Sequence, residues 1–260
     1  MQKRNDHKLL ELKGLSKHFG GVAAVDKLDF EVRGGEIVGL IGPNGAGKTT
    51  VFNLVSGVLK PSDGRVIFHG EDVTSLRPNE IAKRGLVRTF QASILFKNFT
   101  VIENVSMGRH LHAGIGFFQD LFNTSSTRQR RNQIQERAME IVDFMGLDPY
   151  RDELAKNLPH GHQRALGIGV ALAADPKFLM LDEPTSGMNV EEKEAIMHLV
   201  GRIRERGITI LVVEHDMKVV MGLCERITVL NFGVKIAEGS PDEIRANQDV
   251  IQAYLGAEEK

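Results

Sequence analysis

The run Gly42-Pro43-Asn44-Gly45-Ala46-Gly47-Lys48-Thr49-Thr50, set directly after apolar Ile37-Val38-Gly39-Leu40-Ile41, has the residue types and spacing to hold a chain of phosphates. Without a Cβ, Gly42, Gly45 and Gly47 let the backbone turn to positive φ and bring its N–H groups against phosphate oxygens. Thr49 and Thr50 open a helix whose N-terminus adds partial positive charge. Lys48 is then placed to set its ammonium on β- and γ-phosphates, and the Thr49 hydroxyl to hold Mg²⁺. A glycine turn serving packing alone accounts less well for the strand before it and the helix after it.

Two further apolar runs end in reactive side chains. Lys177-Phe178-Leu179-Met180-Leu181 reads as a strand buried on both faces and leads into Asp182-Glu183-Pro184. Successive strand side chains point to opposite sides, so the two carboxylates are expected to divide the work. Asp182 would hold Mg²⁺ through water, and Glu183 would face the attacking water as its base. Ile208-Thr209-Ile210-Leu211-Val212-Val213 runs into Glu214-His215-Asp216, which brings His215 to the same carboxyl edge of the sheet, within reach of a γ-phosphate. A lone histidine after a strand is more often structural; beside both phosphate motifs the functional reading is preferred.

The spacing from Gly42–Thr50 through Asp182-Glu183 to His215 resembles that of the ATP-binding-cassette (ABC) ATPases, over nearly the whole chain. The resemblance implies an α/β P-loop NTPase of ABC type, with a mixed or parallel core sheet, an antiparallel β subdomain and an inserted helical subdomain. It implies ATP on residues Gly42 to Thr50, and Mg²⁺ on Thr49 and Asp182. It also implies that Phe19, in Lys17-His18-Phe19-Gly20, stacks on adenine, a contact worth about 1–3 kcal/mol per base. A core phenylalanine is the competing reading. Gln91, in Arg88-Thr89-Phe90-Gln91, is similar to the family's glutamine that joins Mg²⁺ and the attacking water to the helical region.

One element departs from the family. Its Leu-Ser-Gly-Gly-Gln stretch, donated by one subunit to the ATP held by the other, is matched here by Leu158-Pro159-His160-Gly161-His162-Gln163. Proline replaces the serine, histidine replaces the glutamine, and Pro159 has neither hydroxyl nor N–H to offer a γ-phosphate. Gly161 and the start of the helix Gln163-Arg164-Ala165-Leu166 remain to meet the anion. His160 and His162 lack a nearby third ligand, so a metal reading is set aside.

These groups need a scaffold, and 260 residues, 42% of them hydrophobic, suffice for one large α/β domain with an inserted lobe. Residues 1–90 and 164–238 read as the nucleotide-binding core, 91–163 as the helical subdomain and 239–260 as a C-terminal helical tail. Strand-like Leu9-Leu10-Glu11-Leu12, Leu28-Asp29-Phe30-Glu31-Val32 and Arg65-Val66-Ile67-Phe68 fill the first lobe. The helical lobe begins with the capping box Thr100 to Glu103, and Ile134, Ala138, Ile141, Val142 and Met145 mark one helix face before Gly146 ends it. Ser240-Pro241-Asp242-Glu243 starts another helix.

Lys+Arg 33 against Asp+Glu 34 leaves a net charge of −1, too little basic field for a nucleic-acid binder. Arg128, Arg130 and Arg131 read as a solvated helix face. Met1 to Lys8 is polar with no apolar stretch after it, no run nears the ~20 apolar residues of a spanning helix, and Cys224 is the single cysteine. A reducing cytoplasm is expected.

A lone cassette without sustained heptads or a second copy of itself reads as the separate motor of a transporter rather than a DNA or translation ATPase. Arg88-Thr89-Phe90-Gln91, Ser186-Gly187-Met188-Asn189, Glu214-His215-Asp216-Met217, Ala253-Tyr254-Leu255-Gly256 and the Leu158-Pro159 signature resemble the ATPases of bacterial branched-chain (hydrophobic) amino-acid importers. That resemblance implies import of branched-chain amino acids or related small polar substrates, from the inner face of the cell membrane. Lipopolysaccharide export is the runner-up, and a soluble ABC ATPase unlinked to transport stands behind it. Implied partners are two transmembrane permease subunits, a sister ATPase or a second copy, and indirectly a periplasmic or extracellular binding protein; no nucleic acid is implied. Ile115-Gly116-Phe117-Phe118-Gln119-Asp120-Leu121-Phe122 is the candidate groove for a permease helix, with lobe packing as the alternative.

Overall fold

The computed structural model describes residues 7–89, 95–113 and 125–258. The strands form two separate sheets. Strands β1 (Lys8–Phe19) and β2 (Val22–Arg33) pair antiparallel, β4 (Asp63–Phe68) lies on the other side of β1, and β5 (Glu71–Asp72) closes that four-stranded sheet. The second sheet is built from β3 (Ile37–Ile41), β6 (Leu86–Arg88), β7 (Phe178–Asp182), β8 (Thr209–Val213), β9 (Arg226–Asn231) and β10 (Val234–Gly239), in the order β10-β9-β3-β8-β7-β6. All its pairings are parallel except β10 on β9.

Strands β3, β7 and β8 are buried at every position, because alternate residues enter two different cores. Val38, Leu40, Met180, Leu211 and Val213 face the small sheet and α1 (Lys48–Val55), whose Phe52 is fully buried there. Ile37, Ile41, Leu179, Leu181, Ile210 and Val212 face the helical side. That side is formed by α5 (His160–Leu172), α6 (Val190–Glu205) and α7 (Met217–Leu223). Gly39 packs closely on the helical side: a Cβ there would lie 3.0 Å from Cys224 Sγ. Cys224 is itself buried, which pushes its thiol up to about 12, with the charge of Glu214 adding to the rise.

Capping boxes start several of the described helices, a glutamate in each returning to the cap backbone. Thr100 and Glu103 cap α3 (Val101–Ala113), Asn189 and Glu192 cap α6, and Ser240 and Glu243 cap α8 (Pro241–Ala246). Beyond the short α2 (Pro78–Lys83), α3 and α4 (Ser125–Phe144) pack on α5 through Val105, Ala138, Ile141 and Val142. The end of α4 is fixed to the core by charge. Phe144 lies under the guanidinium groups of Arg202 and Arg206, at 4.4 and 3.4 Å from its ring centre, while Arg109 and Arg137 both reach Asp175. The last helix, α9 (Gln248–Glu258), returns to β10 and buries Val250.

Candidate nucleotide site

Parallel pairing sets the carboxyl ends of three strands side by side, with Leu40 opposite Val213 and Asp182 opposite the same Val213. A crevice outside such strand ends is where open α/β sheets take their ligands. Each strand hands over to a different functional segment.

After β3 the chain enters the phosphate-type loop. Gly42, Gly45 and Gly47 take φ of 152°, 80° and 102°. A Cβ on Gly42 would meet Leu230 O at 2.2 Å, and one on Gly47 would meet Ala24 O at 2.5 Å, so only glycine fits either place. Pro43, Asn44 and Gly45 form the outer turn, and Ala46 is buried beneath it, its N–H donating to Pro43 O at 3.1 Å. The hairpin between β9 and β10 braces the loop from outside, since Gly233 N–H donates to Ala46 O at 3.0 Å. Gly47 caps α1 without a side chain and no acidic residue stands in the first turn, so the first N–H groups of α1 suit an anion.

Lys48 is the first residue of α1, its ammonium donating to Gly42 O at 2.6 Å and Pro43 O at 2.9 Å. Burial lowers its pKa, and the charge of nearby Glu183 partly opposes that shift. Thr49 is exposed beside it and Thr50 half-buried.

After β7 the structure corrects one expectation. Glu183 is not a strand residue whose direction follows from alternation; β7 stops at Asp182, and Glu183 takes φ of 46° in the left-handed region. Its N–H donates to Val213 O at 2.9 Å, and that bond holds the turned backbone in place. The turn carries the Glu183 carboxylate toward β8, where Oε2 lies 4.0 Å from His215 Nδ1. Asp182 keeps the strand direction and points into the core beside α1. There its Oδ2 accepts from Arg88 Nη2 at 2.7 Å, and Arg88 Nη1 donates to Asn53 Oδ1 at 2.6 Å.

Arg88, the last residue of β6, was not singled out by sequence as a partner of Asp182; the two lie 94 residues apart. Glu214 is a second such residue. Fully buried, it accepts from Thr185 N–H at 2.8 Å and Thr185 Oγ1 at 2.6 Å, and its other oxygen accepts from the His215 N–H at 3.2 Å. This carboxylate ties the segment after Glu183 to the segment bearing His215. Its adjacency to the histidine was the only signal in the sequence. Asp216 caps α7 and pairs with Lys193 Nζ at 2.5 Å.

Phe19 ends β1 as a 49% exposed residue, with the Lys17 ammonium 5.2 Å from its ring centre. A core role for this phenylalanine is thereby excluded, and a face is left for stacking. Gln91 and Phe90 lie outside the described residues, as does the segment Ile115–Phe122 with Phe117 and Phe118.

The segment Leu158–Gln163 forms the start of α5 in a different register from the sequence expectation. The helix begins at His160, with Pro159 as N-cap at φ −55° and ψ 154°, because proline's fixed φ suits the entry to a helix. Gly161 is therefore inside the first turn, where a Cβ would come 3.0 Å from the Glu192 carboxylate. His160 lies beside the Gly187 turn, and His162 meets Tyr150 edge-on at 4.8 Å.

The glycine cradle, the uncapped α1 N-terminus, Lys48 and Thr49 fit a Mg²⁺-bound triphosphate. Known proteins agree with that fit. Residues 25–186 match the family model for the ABC transporter, and residues 234–260 match one for the branched-chain amino acid ATP-binding cassette transporter. The chain is 43% identical over 249 residues to the high-affinity branched-chain amino acid transport ATP-binding protein LivG of Escherichia coli K12, covering 95% of this chain and 98% of that one. It is 33% identical to the lipopolysaccharide export system ATP-binding protein LptB of Haemophilus influenzae, covering 97% and 99%. An ATP-binding cassette of an ABC transporter solved in its ADP conformation superposes with a TM-score of 0.85 at 31% identity, over 96% of this chain and 99% of that one. A dimeric cassette in a post-hydrolysis state with ADP and Pi superposes with a TM-score of 0.74 at 26% identity, over 89% and 98%.

Proposed function

The chain belongs to the ABC transporter family as an ATP-binding cassette that hydrolyses ATP with Mg²⁺, and we propose that it drives the import of branched-chain amino acids. The observation that carries the catalytic reading is the convergence at one sheet edge of Lys48, Glu183 and His215, with Glu183 held 4.0 Å from the imidazole by a left-handed turn. The 43% identity to LivG supports the cargo.

In this reading the Gly42–Gly47 loop wraps the phosphates with its N–H groups, Lys48 exchanges its two carbonyl partners for β- and γ-oxygens, and Phe19 stacks on adenine. Bound Mg²⁺ supplies charge neutralisation at the phosphates, and Thr49, Asp182 and Gln91 are the residues that would hold it, Asp182 by way of water. Glu183 takes the proton of the attacking water as the γ-phosphorus–oxygen bond breaks. His215 donates toward the γ-phosphate, and Glu214 fixes its backbone relative to Glu183. Gly161 and the first turn of α5 face the ATP of a partner ATPase, so two cassettes close head to tail around two nucleotides.

The proposed division of labour gives the nucleotide to residues 1–90 and 164–238 and the contact with two permease subunits to 91–163. Residues 239–260 form a C-terminal tail. No described helix is long and apolar enough to cross a membrane. The chain sits on the inner face of the cell membrane by way of its permeases, with a binding protein delivering substrate from outside.

The test is reconstitution with permease subunits of a branched-chain amino-acid importer. ATP-dependent uptake of leucine, isoleucine and valine into proteoliposomes is expected. Hydrolysis coupled to lipopolysaccharide extraction, with no amino-acid uptake, would transfer the chain to the export reading that the likeness to LptB favours.

A further inference from the structure

The ending Ala253-Tyr254-Leu255-Gly256 has no part in the site described above. Yet α9 carries Tyr254 onto the same core face as Ile41, the residue before the phosphate loop. Met217 and Met221 of α7, Ile244 of α8 and Val250 of α9 surround it, and together they line an open apolar groove of about 740 Å³. The Tyr254 hydroxyl is closed off from solvent and, among the described residues, makes no hydrogen bond of normal geometry. The backbone N–H of Gly42 is near enough to act on it: burial pushes the phenol up to about 12, and that N–H opposes the rise.

Gly42 is the root of the phosphate loop, and its backbone has no slack on the far side, where Leu230 O stands 2.2 Å from a Cβ position. Met217 follows His215 by two residues. Tyr254 thus sits where the loop holding the phosphates meets the helix that carries on from the histidine. A buried hydroxyl is costly when unpaired, so loop geometries that bring the Gly42 N–H into line with it are favoured over those that do not.

We propose that Tyr254 is a positioning residue for ATP hydrolysis: its hydroxyl braces the root of the phosphate loop at the Gly42 N–H while its ring seats the helix after His215. The C-terminal helix is then part of the nucleotide site rather than an appendage, an inference that rests on the ATP-site reading above. Loss of the hydroxyl loosens the loop and weakens nucleotide binding without unfolding the chain.

The chain has no tryptophan and two tyrosines, Tyr150 and Tyr254. In a Tyr150→Phe background, tyrosine emission therefore reports on Tyr254 alone. Mg-ATP is expected to change that emission in a saturable manner, with Tyr254→Phe, which retains Tyr150, as the control for absorption by the nucleotide. Tyr254→Phe should melt with the parent and raise the Kd for Mg-ATP about three- to tenfold, the scale of one neutral hydrogen bond. Val250→Ala, which truncates the same helix's packing but keeps the hydroxyl, should lower the melting temperature and leave the Kd in place. Parental affinity in Tyr254→Phe, an emission that ignores Mg-ATP, or equal weakening by Val250→Ala would each overturn the proposal. Lys48→Ala separates the two levels: if it binds Mg-ATP normally, the ATP-site reading itself fails, whereas loss in Lys48→Ala beside parental binding in Tyr254→Phe sinks only the role of Tyr254.

Discussion

The phosphate loop and the start of α5, the two halves of the proposed nucleotide sandwich, are built in opposite ways. The loop is complete within one chain: glycines forced by neighbouring carbonyls, a lysine, two threonines and a bare helix N-terminus lie within nine residues. The start of α5 offers no side-chain cap, no hydroxyl at Pro159 and only Gly161 plus backbone N–H groups. In the proposed sandwich one half would bind by side-chain charge and shape, and the other would contribute orientation and a dipole. Binding should therefore be decided at the loop and closure at the helix.

Lys48→Ala attacks the complete half and should give the largest effect. No saturable Mg-ATP binding is expected by equilibrium dialysis, with the circular dichroism spectrum of the parent retained, because the mobile cation at the β- and γ-phosphates is gone. Near-normal affinity would dissolve the contrast altogether. Glu183→Gln comes next. It should bind Mg-ATP like the parent and turn over about 10²–10⁴ times more slowly, and parental turnover would move the base elsewhere, first to His215.

Arg88→Met probes how firmly the complete half is anchored. Arg88 and Asp182 are 9% and 4% exposed in their side chains, so removing the cation strands a buried carboxylate at a cost of about 3–5 kcal/mol. Urea denaturation would show this as a lower midpoint, and an unchanged midpoint would mean that the Arg88–Asp182 pair does not anchor the fold.

Pro159→Ser sharpens the other half and should act least. Its hydroxyl can serve a γ-phosphate across the dimer, giving about tenfold tighter ATP-dependent dimerisation from the low end of a charged hydrogen bond. It can also cap α5 at the N-cap position, worth about 1 kcal/mol of stability. Dimer fraction against ATP concentration, set beside thermal melts without nucleotide, tells the two apart. A gain in melting temperature with no gain in dimer would show that backbone contacts already suffice.

What the sequence conveys follows the range of the interaction. β3, β7 and β8 are readable because strands buried on both faces write uninterrupted apolar runs, and Thr100-to-Glu103 and Ser240-to-Glu243 because a capping box is a local pattern. The left-handed Glu183 is not readable, since alternation holds only while the strand lasts and the strand ends one residue earlier. Nor is the Arg88 pair, which exists only once β6 and β7 lie side by side. The start of α5 differs by three residues from the expected Gln163: the helix begins at His160 behind Pro159, since proline before a first turn is compatible with one. The exposure of Phe19 removes the core reading that its neighbours in sequence leave open.

Cys224, wedged against Gly39 with its thiol raised to about 12, has a practical corollary. The thiolate is the species that alkylates and exchanges disulfides, and at neutral pH this residue supplies almost none. The native chain is thus a poor target for maleimides and for disulfide exchange without any substitution. A single cysteine introduced at His160 would be the sole reactive handle, and its spin label or cross-link to a neighbouring cassette could be read against a blank background.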